Sequence, residues 1–289
     1  MATRPVFYAD RNAAYHSVFN AEFTWAGGFA LSQKQKNITA IHRCFVNACP
    51  NRRALEISSK STEPVGISAS AFFLKKFVPS LNRSIPVENI FQGSKVFRNG
   101  GPFTDLLGGE PIDAKRDPRL INSGALVGFR FEGADYPLVP KTVFYDFIYI
   151  NALLENPEVA NELLKYDGFT DIAFNPEKSL NCQARSAAIF VSLSRQGLLD
   201  NVKDFSSYLA LFQRKVPPKE SEPKACTPSA PKQNAEAPEI KVGDTVIHKV
   251  FGEGTVLAVS SHLTVSFASV GEKVLGIAWV RENCGIKAK

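Results

Sequence analysis

The chain has 289 residues, 44% hydrophobic and 11% aromatic, enough for one substantial domain and a small companion. Its formal charge of +6 is evenly shared, with 23 Lys/Arg against 20 Asp/Glu up to residue 213 and 11 against 8 beyond it, a mildly basic surface that permits an anionic ligand without requiring one. No apolar run approaches the ~18 residues of a membrane span and M-A-T-R-P is no signal peptide, so a cytoplasmic protein without membrane association is expected; five cysteines without a C-x-x-C pair and four histidines without ligand spacing argue against zinc and against a disulfide framework.

In chain order, helical patterns run from Ser32 to Asn47, Val87 to Phe97, Val143 to Leu154, Pro157 to Tyr166 and Asn181 to Gln196, and strand-like pieces at Leu55 to Ser58 and Leu126 to Phe131. The expected class for residues 1–215 is therefore α+β, mainly helical with a small sheet. There is no G-x-G-x-x-G and no G-x-x-x-x-G-K-[ST], so neither a dinucleotide fold nor an NTPase is supported, and no cofactor is implied. Residues 216–239 hold six prolines and a single Val/Ile/Leu/Phe residue, the pattern of an extended linker. Residues 240–289 alternate short β-rich runs with Gly-Asp, Gly-Glu-Gly and Gly-Glu-Lys turns, the pattern of a small all-β barrel, with Val246, Val256, Val259, Val265 and Phe267 expected inside it.

On a helical wheel for V-E-N-I-F-Q-G-S-K-V-F, Glu88, Gln92 and Lys95 fall within about 60° of one another, bordered by Phe91 and Val96. One reading is a solvated ladder. The other is a pocket wall, favoured because Glu88 and Lys95 are seven apart rather than at ion-pair spacing and because both borders are apolar. Burial there would move carboxyl and amine groups toward neutral pKa values and make them chemically useful.

This stretch resembles the S-E-H-Y-F-Q-A-x-K-F motif of NADAR domains, the YbiA-like superfamily of N-glycosidases. Together with S-Q-K-Q-K-N-I (Ser32 to Ile38), L-E-I-S-S-K-S (Leu55 to Ser61), F-Y-D-F-I-Y-I-N-A-L (Phe144 to Leu153), F-T-D-I-A-F-N-P and N-C-Q-A-R-S-A-A (Phe169 to Ala188), it is similar to the NADAR antitoxins of DarTG toxin–antitoxin pairs across residues 4–213. Two departures stand out: Ser70-Ala71-Phe72 lacks the Asn of the wider superfamily, and Ala173 replaces a Glu, leaving Asp171 as the nearer acidic candidate.

The resemblance implies removal of ADP-ribose from the exocyclic amine of guanine in nucleic acid, with a DarT-like toxin as partner. Lys95 would be a Schiff-base nucleophile and Glu88 a general acid and base, with Asp171 as the third catalytic candidate. Gln33, Lys34, Gln35, Lys36, Ser58, Lys60, Ser70, Phe72, Gln92, Asn181, Gln183 and Arg185 are the candidate contacts to ADP-ribose, the S-Q-K-Q-K-N block and the Asn181 to Arg185 helix start offering cations and free N–H groups to phosphate. Plain helix caps, turns and solvated faces account for the same residue types. A silent reader of ADP-ribose or of the toxin, and an N-glycosidase of a riboflavin-pathway aminopyrimidine, are the competing functions.

V-G-D-T-V-I-H-K-V-F-G-E-G-T-V, with the later V-G-E-K-V-L and Trp279, resembles the Tudor-like module of UvrD/PcrA-type helicases. That likeness implies docking of residues 240–289 to RNA polymerase or to nucleic acid, through Lys249, Lys273 and Arg281.

Overall fold

The computed structural model describes residues 1–140, 142–175, 181–213, 240–248, 251–260, 262–276, 280 and 285–287. It divides into two units, Met1–Pro228 and Ser229–Lys289. The expected linker 216–239, and with it the expected domain boundaries, lies outside the described residues.

Period-two alternation at the N-terminus builds a hairpin of β1 (Ala2–Ala9) and β2 (His16–Phe23), in register from Ala2↔Phe23 to Ala9↔His16. One face of it carries Val6, Tyr8, Ala21 and Phe23, and the long α1 (Leu31–Ala48) lays Ile38, Ile41 and Phe45 onto that face. Next come β3 (Ala54–Glu56), α2 (Pro64–Ser68), β4 (Lys75–Val78), β5 (Arg83–Pro86), α3 (Val87–Gly93), β6 (Lys95–Phe97), α4 (Pro111–Arg116), α5 (Arg119–Asn122), β7 (Leu126–Phe131) and β8 (Ala134–Tyr136). Then follow α6 (Val143–Leu154), α7 (Pro157–Leu163), β9 (Gly168–Thr170), α8 (Gln183–Arg195) and α9 (Phe205–Gln213). Proline opens α2, α4 and α7, where its missing N–H costs no helical hydrogen bond.

β9 inserts between β1 and β3 to give the order β2-β1-β9-β3, parallel to β3 and antiparallel to β1. Gly168 permits this: a Cβ there would lie 2.6 Å from the Phe45 ring, so only glycine lets α1 approach the inserted strand. The opposite side of the sheet packs on the main core, whose axis is α6, buried at every position from Val143 to Leu153 except Asn151. A helix apolar all round can only be central, and α3, α8 and α9 pack against it. No helix among the described residues is long and apolar enough to cross a membrane.

Three expectations change. The helical pattern from Val87 to Phe97 is two elements, α3 ending at Gly93 and β6 starting at Lys95. Ser94 ends the helix, its hydroxyl donating to the Ile90 carbonyl at 2.7 Å, and Val96 and Phe97 then pair with β7, a suitable place for β-branched and aromatic residues. The small sheet has companions, a β4-β5 hairpin and a β6-β7-β8 meander. Cys49 is disulfide-bonded, against the expectation of no disulfide, whereas Cys44 and Cys182 are free thiols.

The second unit holds β10 (Thr245–His248), β11 (Gly252–Val259), β12 (His262–Phe267), β13 (Gly271–Gly276) and β14 (Gly285–Lys287), in the order β13-β12-β11-β10-β14. Among the described residues β13 and β14 are unpaired edges, so the expected barrel is an open sheet. Val246, Val256, Val265 and Phe267 form its core as expected; Val259, at the hairpin end next to the β11–β12 turn, is 40% exposed instead. Gly254 serves packing rather than a turn, since a Cβ there would meet the Phe267 ring at 2.5 Å. Lys249, Trp279 and Arg281 lie outside the described residues, and Lys273 is exposed on β13.

Candidate functional site

β3 and β9 run parallel and end at one edge of the sheet, where Ser58, Lys60 and Asp171 leave the strands. α3 and the start of α8 border the same edge. Between them lies a cavity of about 240 Å³ walled by Ser58, Ser59, Lys60, Ser70, Phe72, Glu88, Phe91, Gln92, Lys95, Lys115, Tyr145, Asp171, Ala173, Asn181 and Gln183.

One wall is the α3–β6 junction. Glu88 and Gln92, one helical turn apart and both buried, are joined by the Gln92 amide N–H donating to Glu88 Oε1 at 2.8 Å. Lys95, on the following strand, reaches back and donates from Nζ to Gln92 Oε1 at 2.6 Å. The three groups thus converge as the wheel suggested, although Lys95 is not on the helix. The Lys95 ammonium lies 4.7 Å from the centre of the Phe91 ring. Burial drives the Lys95 pKa down to about 8, opposed by the Glu88 carboxylate and helped by the Lys115 ammonium. Lys115, contributed by α4, stands 3.8 Å from Glu88 Oε1 and 5.3 Å from the Phe72 ring centre.

The opposite wall is tied together by one amide. Gln183 accepts from the Ala71 N–H at 2.7 Å, and its own N–H groups donate to the Ile57 carbonyl at 2.6 Å and to Asp171 Oδ2 at 3.0 Å. Asp171 also accepts from the Ala173 N–H at 2.9 Å, and burial pushes its carboxyl pKa up. Beneath it Glu56 is buried, with Oε1 accepting from Ser58 Oγ at 2.6 Å and Ile172 N–H at 2.8 Å and Oε2 accepting from Thr170 Oγ1 at 2.6 Å. Burial, reinforced by the neighbouring Asp171 charge, raises the Glu56 pKa to about 7. Thr170 Oγ1 lies 2.9 Å from His42 Nε2, and burial lowers the His42 pKa to about 4, so that ring is neutral at physiological pH. Ser70 Oγ is buried on the cavity wall with no hydrogen-bond partner, a group placed for a ligand to satisfy.

Of the residues expected at the site, the structure brings together Lys95, Glu88, Asp171, Ser58, Lys60, Ser70, Phe72, Gln92, Asn181 and Gln183. Arg185 is not among them. Two positions along α8 are about 200° of rotation, so Gln183 faces the cavity while Arg185 turns to Asp146, its ion-pair partner, beside a second cavity of about 120 Å³. Gln33, Lys34, Gln35 and Lys36 do not line the main cavity either: Lys34 lies over the Trp25 ring, and Gln35 and Lys36 border a shallow groove on the outer face of α1.

Sequence reasoning missed Lys115, Tyr145 and the buried Glu56. Lys115 sits in an ordinary charged helix, I-D-A-K-R, and only the tertiary contact of α3 with α4 brings it in. Tyr145 lies inside the quoted F-Y-D-F block; burial raises its pKa well above the usual phenol, and it packs edge-on against Phe91 at 5.0 Å.

A half-buried amine linked through an amide to a buried carboxylate, facing a second carboxyl across a cavity, is equipped for attack on an electrophilic carbon with proton transfer. No curated protein matches the chain. A family model described as the DarT1-associated NADAR antitoxin matches residues 2–222, which include every residue of this cavity, and the chain belongs to that family.

Proposed function

We propose that the protein is an N-glycosidase that removes ADP-ribose from guanine bases of nucleic acid and thereby counters a DarT1-type toxin. The observation that carries this reading is the hydrogen-bonded chain Lys95–Gln92–Glu88 on the cavity wall, where burial lowers the lysine pKa to about 8. At neutral pH this makes a substantial fraction of a normally charged amine nucleophilic.

The chemistry balances with these residues alone. A ribose joined to an exocyclic amine opens as the N–H proton of that amine passes to the ring oxygen and C1 becomes an imine carbon. The neutral Lys95 amine adds to C1 and sheds two protons to solvent, while the guanine nitrogen gains two, relayed from solvent by Glu88; guanine leaves as its amine and C1 is held as a lysine Schiff base. Water then adds to C1 as Glu88 takes one of its protons, the lysine nitrogen regains two protons, and Lys95 departs as its amine while C1 is released as the aldehyde of ADP-ribose. Asp171, already an acceptor for the Ala173 and Gln183 N–H groups, is placed to accept from a sugar hydroxyl, and Lys60 and Lys115 to meet phosphate. A cavity of about 240 Å³ falls below the roughly 300–1,000 Å³ that encloses a drug-sized ligand, so it holds the ribosyl–guanine junction with the remainder of the substrate outside.

Borohydride reduction during turnover, followed by intact mass measurement, tests the covalent step. The expected product is an adduct of one ADP-ribose on Lys95; an unmodified mass while guanine is being released refutes the Schiff base. The second unit, in this reading, tethers the hydrolase to nucleic acid or to RNA polymerase and raises its concentration near modified bases by linkage. Recovery of neither by residues 229–289 at low salt would remove that role.

A further inference from the structure

Beside the start of α1, an arginine of β1 and a lysine of α1 share one aromatic ring. The Arg4 guanidinium lies 5.1 Å and the Lys34 ammonium 5.4 Å from the Trp25 ring centre. Among the described residues no carboxylate ion-pairs with Arg4, Lys34, Lys36 or Arg43. Residues 24–53 contain five Lys/Arg and no Asp/Glu, so this part of the surface is far more cationic than the chain as a whole. Two like charges beside one indole repel each other, and an anion between or beside them would relieve that repulsion.

The loop carrying the tryptophan is held firmly. Asn37, buried in α1, accepts from the Ala26 N–H at 2.8 Å and donates to the Ala26 carbonyl at 2.9 Å, and Gly28 takes a φ of +111° to complete the turn. Next to this clamp Phe29 is 100% exposed, with its ring entirely in solvent. A fully exposed phenylalanine on a clamped loop beside unpaired cations is suited to stacking a flat, charged polymer unit.

Strand register ties this patch to the cavity. β2 runs parallel to β9, so Phe23 and the following Trp25 leave the sheet at the edge where Asp171 also leaves it. β2 is two strands from β9, and β1 pairs with β9 only at Phe7 and Tyr8, leaving residues 2–5 to run past the end of β9. The patch and the cavity mouth are therefore separated by on the order of 15 Å along one sheet edge.

We infer that Arg4, Lys34 and Phe29 form a track for single-stranded nucleic acid, the cations holding phosphates and Phe29 stacking a base a few nucleotides away from the guanine in the cavity. The proposal rests on the cavity acting on modified nucleic acid, but it can be tested without hydrolysis. The probe is an unmodified, fluorescently labelled single strand of about ten nucleotides, in DNA and RNA forms, titrated into the full chain over a salt series. The expected result is salt-dependent binding. Removing two phosphate contacts in R4A/K34A should lower the slope of log affinity against log salt by about 1.4. Phe29→Ala removes no buried contact; it should weaken binding on the order of tenfold with the slope unchanged. Absence of binding by the wild type at low salt, or Phe29→Ala and the double variant both binding as the wild type does, overturns the track. Intact binding by a protein that releases no ADP-ribose would overturn the cavity reading instead and leave the track standing.

Discussion

Lys95→Arg separates a nucleophilic lysine from one that merely supplies charge. An arginine retains the cation, the reach toward Phe91 and a donor for Gln92, but its pKa above 12 leaves fewer than about one guanidinium in 10⁵ neutral at pH 7. With its pKa at about 8, Lys95 is neutral in about one-tenth of molecules at pH 7; at the ordinary 10.5 the fraction would be about 0.03%, some 300-fold less. If the neutral amine attacks, the variant loses at least about 10⁴ in rate. The wild-type single-turnover rate climbs about tenfold per pH unit and levels near pH 8, because only the deprotonated form reacts. The assay is release of ADP-ribose from a guanine-modified oligonucleotide between pH 6 and 9, enzyme in excess, by gel shift or mass. More than a tenth of the activity surviving in Lys95→Arg, or a flat profile across pH 7 to 8, would refute a nucleophilic Lys95.

Glu88→Gln keeps the shape of the α3 wall and the contact with Gln92 but removes the proton carrier; kcat should fall by about 10² to 10⁴ with oligonucleotide affinity unchanged, and a loss below tenfold would assign proton transfer elsewhere. Glu56→Gln bears on stability. Its folded pKa of about 7 lies above the ordinary 4.5, so the folded chain holds that proton more tightly; the associated stability is present below pH 4.5 and is lost as pH rises through 7, on the order of 3 kcal/mol in all. The glutamine variant has no such loss, so its melting temperature should gain on the wild type between pH 5 and 8, and parallel melting curves across that range would contradict the raised pKa.

Much of the fold was legible because its strongest signals are local. α6 and β7 have the expected ends, Val143 to Leu154 and Leu126 to Phe131, since their dense apolar and aromatic content leaves few alternatives. The α3–β6 break was not legible: Ser94 and Lys95 suit a helix surface as well as a strand start, and pairing with β7, about thirty residues later, decides between them. For the site, a motif carried Glu88, Gln92 and Lys95. Lys115 and Glu56 required tertiary structure, the first because α4 reads as solvated, the second because a glutamate in a short strand gives no sign that three donors await it. The S-Q-K-Q block read as a phosphate site for the cavity because it opens a helix, yet that helix begins beyond the end of β9, at the far side of the hairpin.

The Gln92 amide between Glu88 and Lys95 works as an insulator. A Lys95 touching Glu88 directly would form an ion pair that holds the lysine in its charged state, leaving no amine to attack. A neutral amide with its oxygen toward the ammonium and its nitrogen toward the carboxylate satisfies both ends, yet it has no labile proton to pass from one to the other. Nucleophile and acid can thus change protonation at different moments of one reaction cycle while remaining about two hydrogen bonds apart.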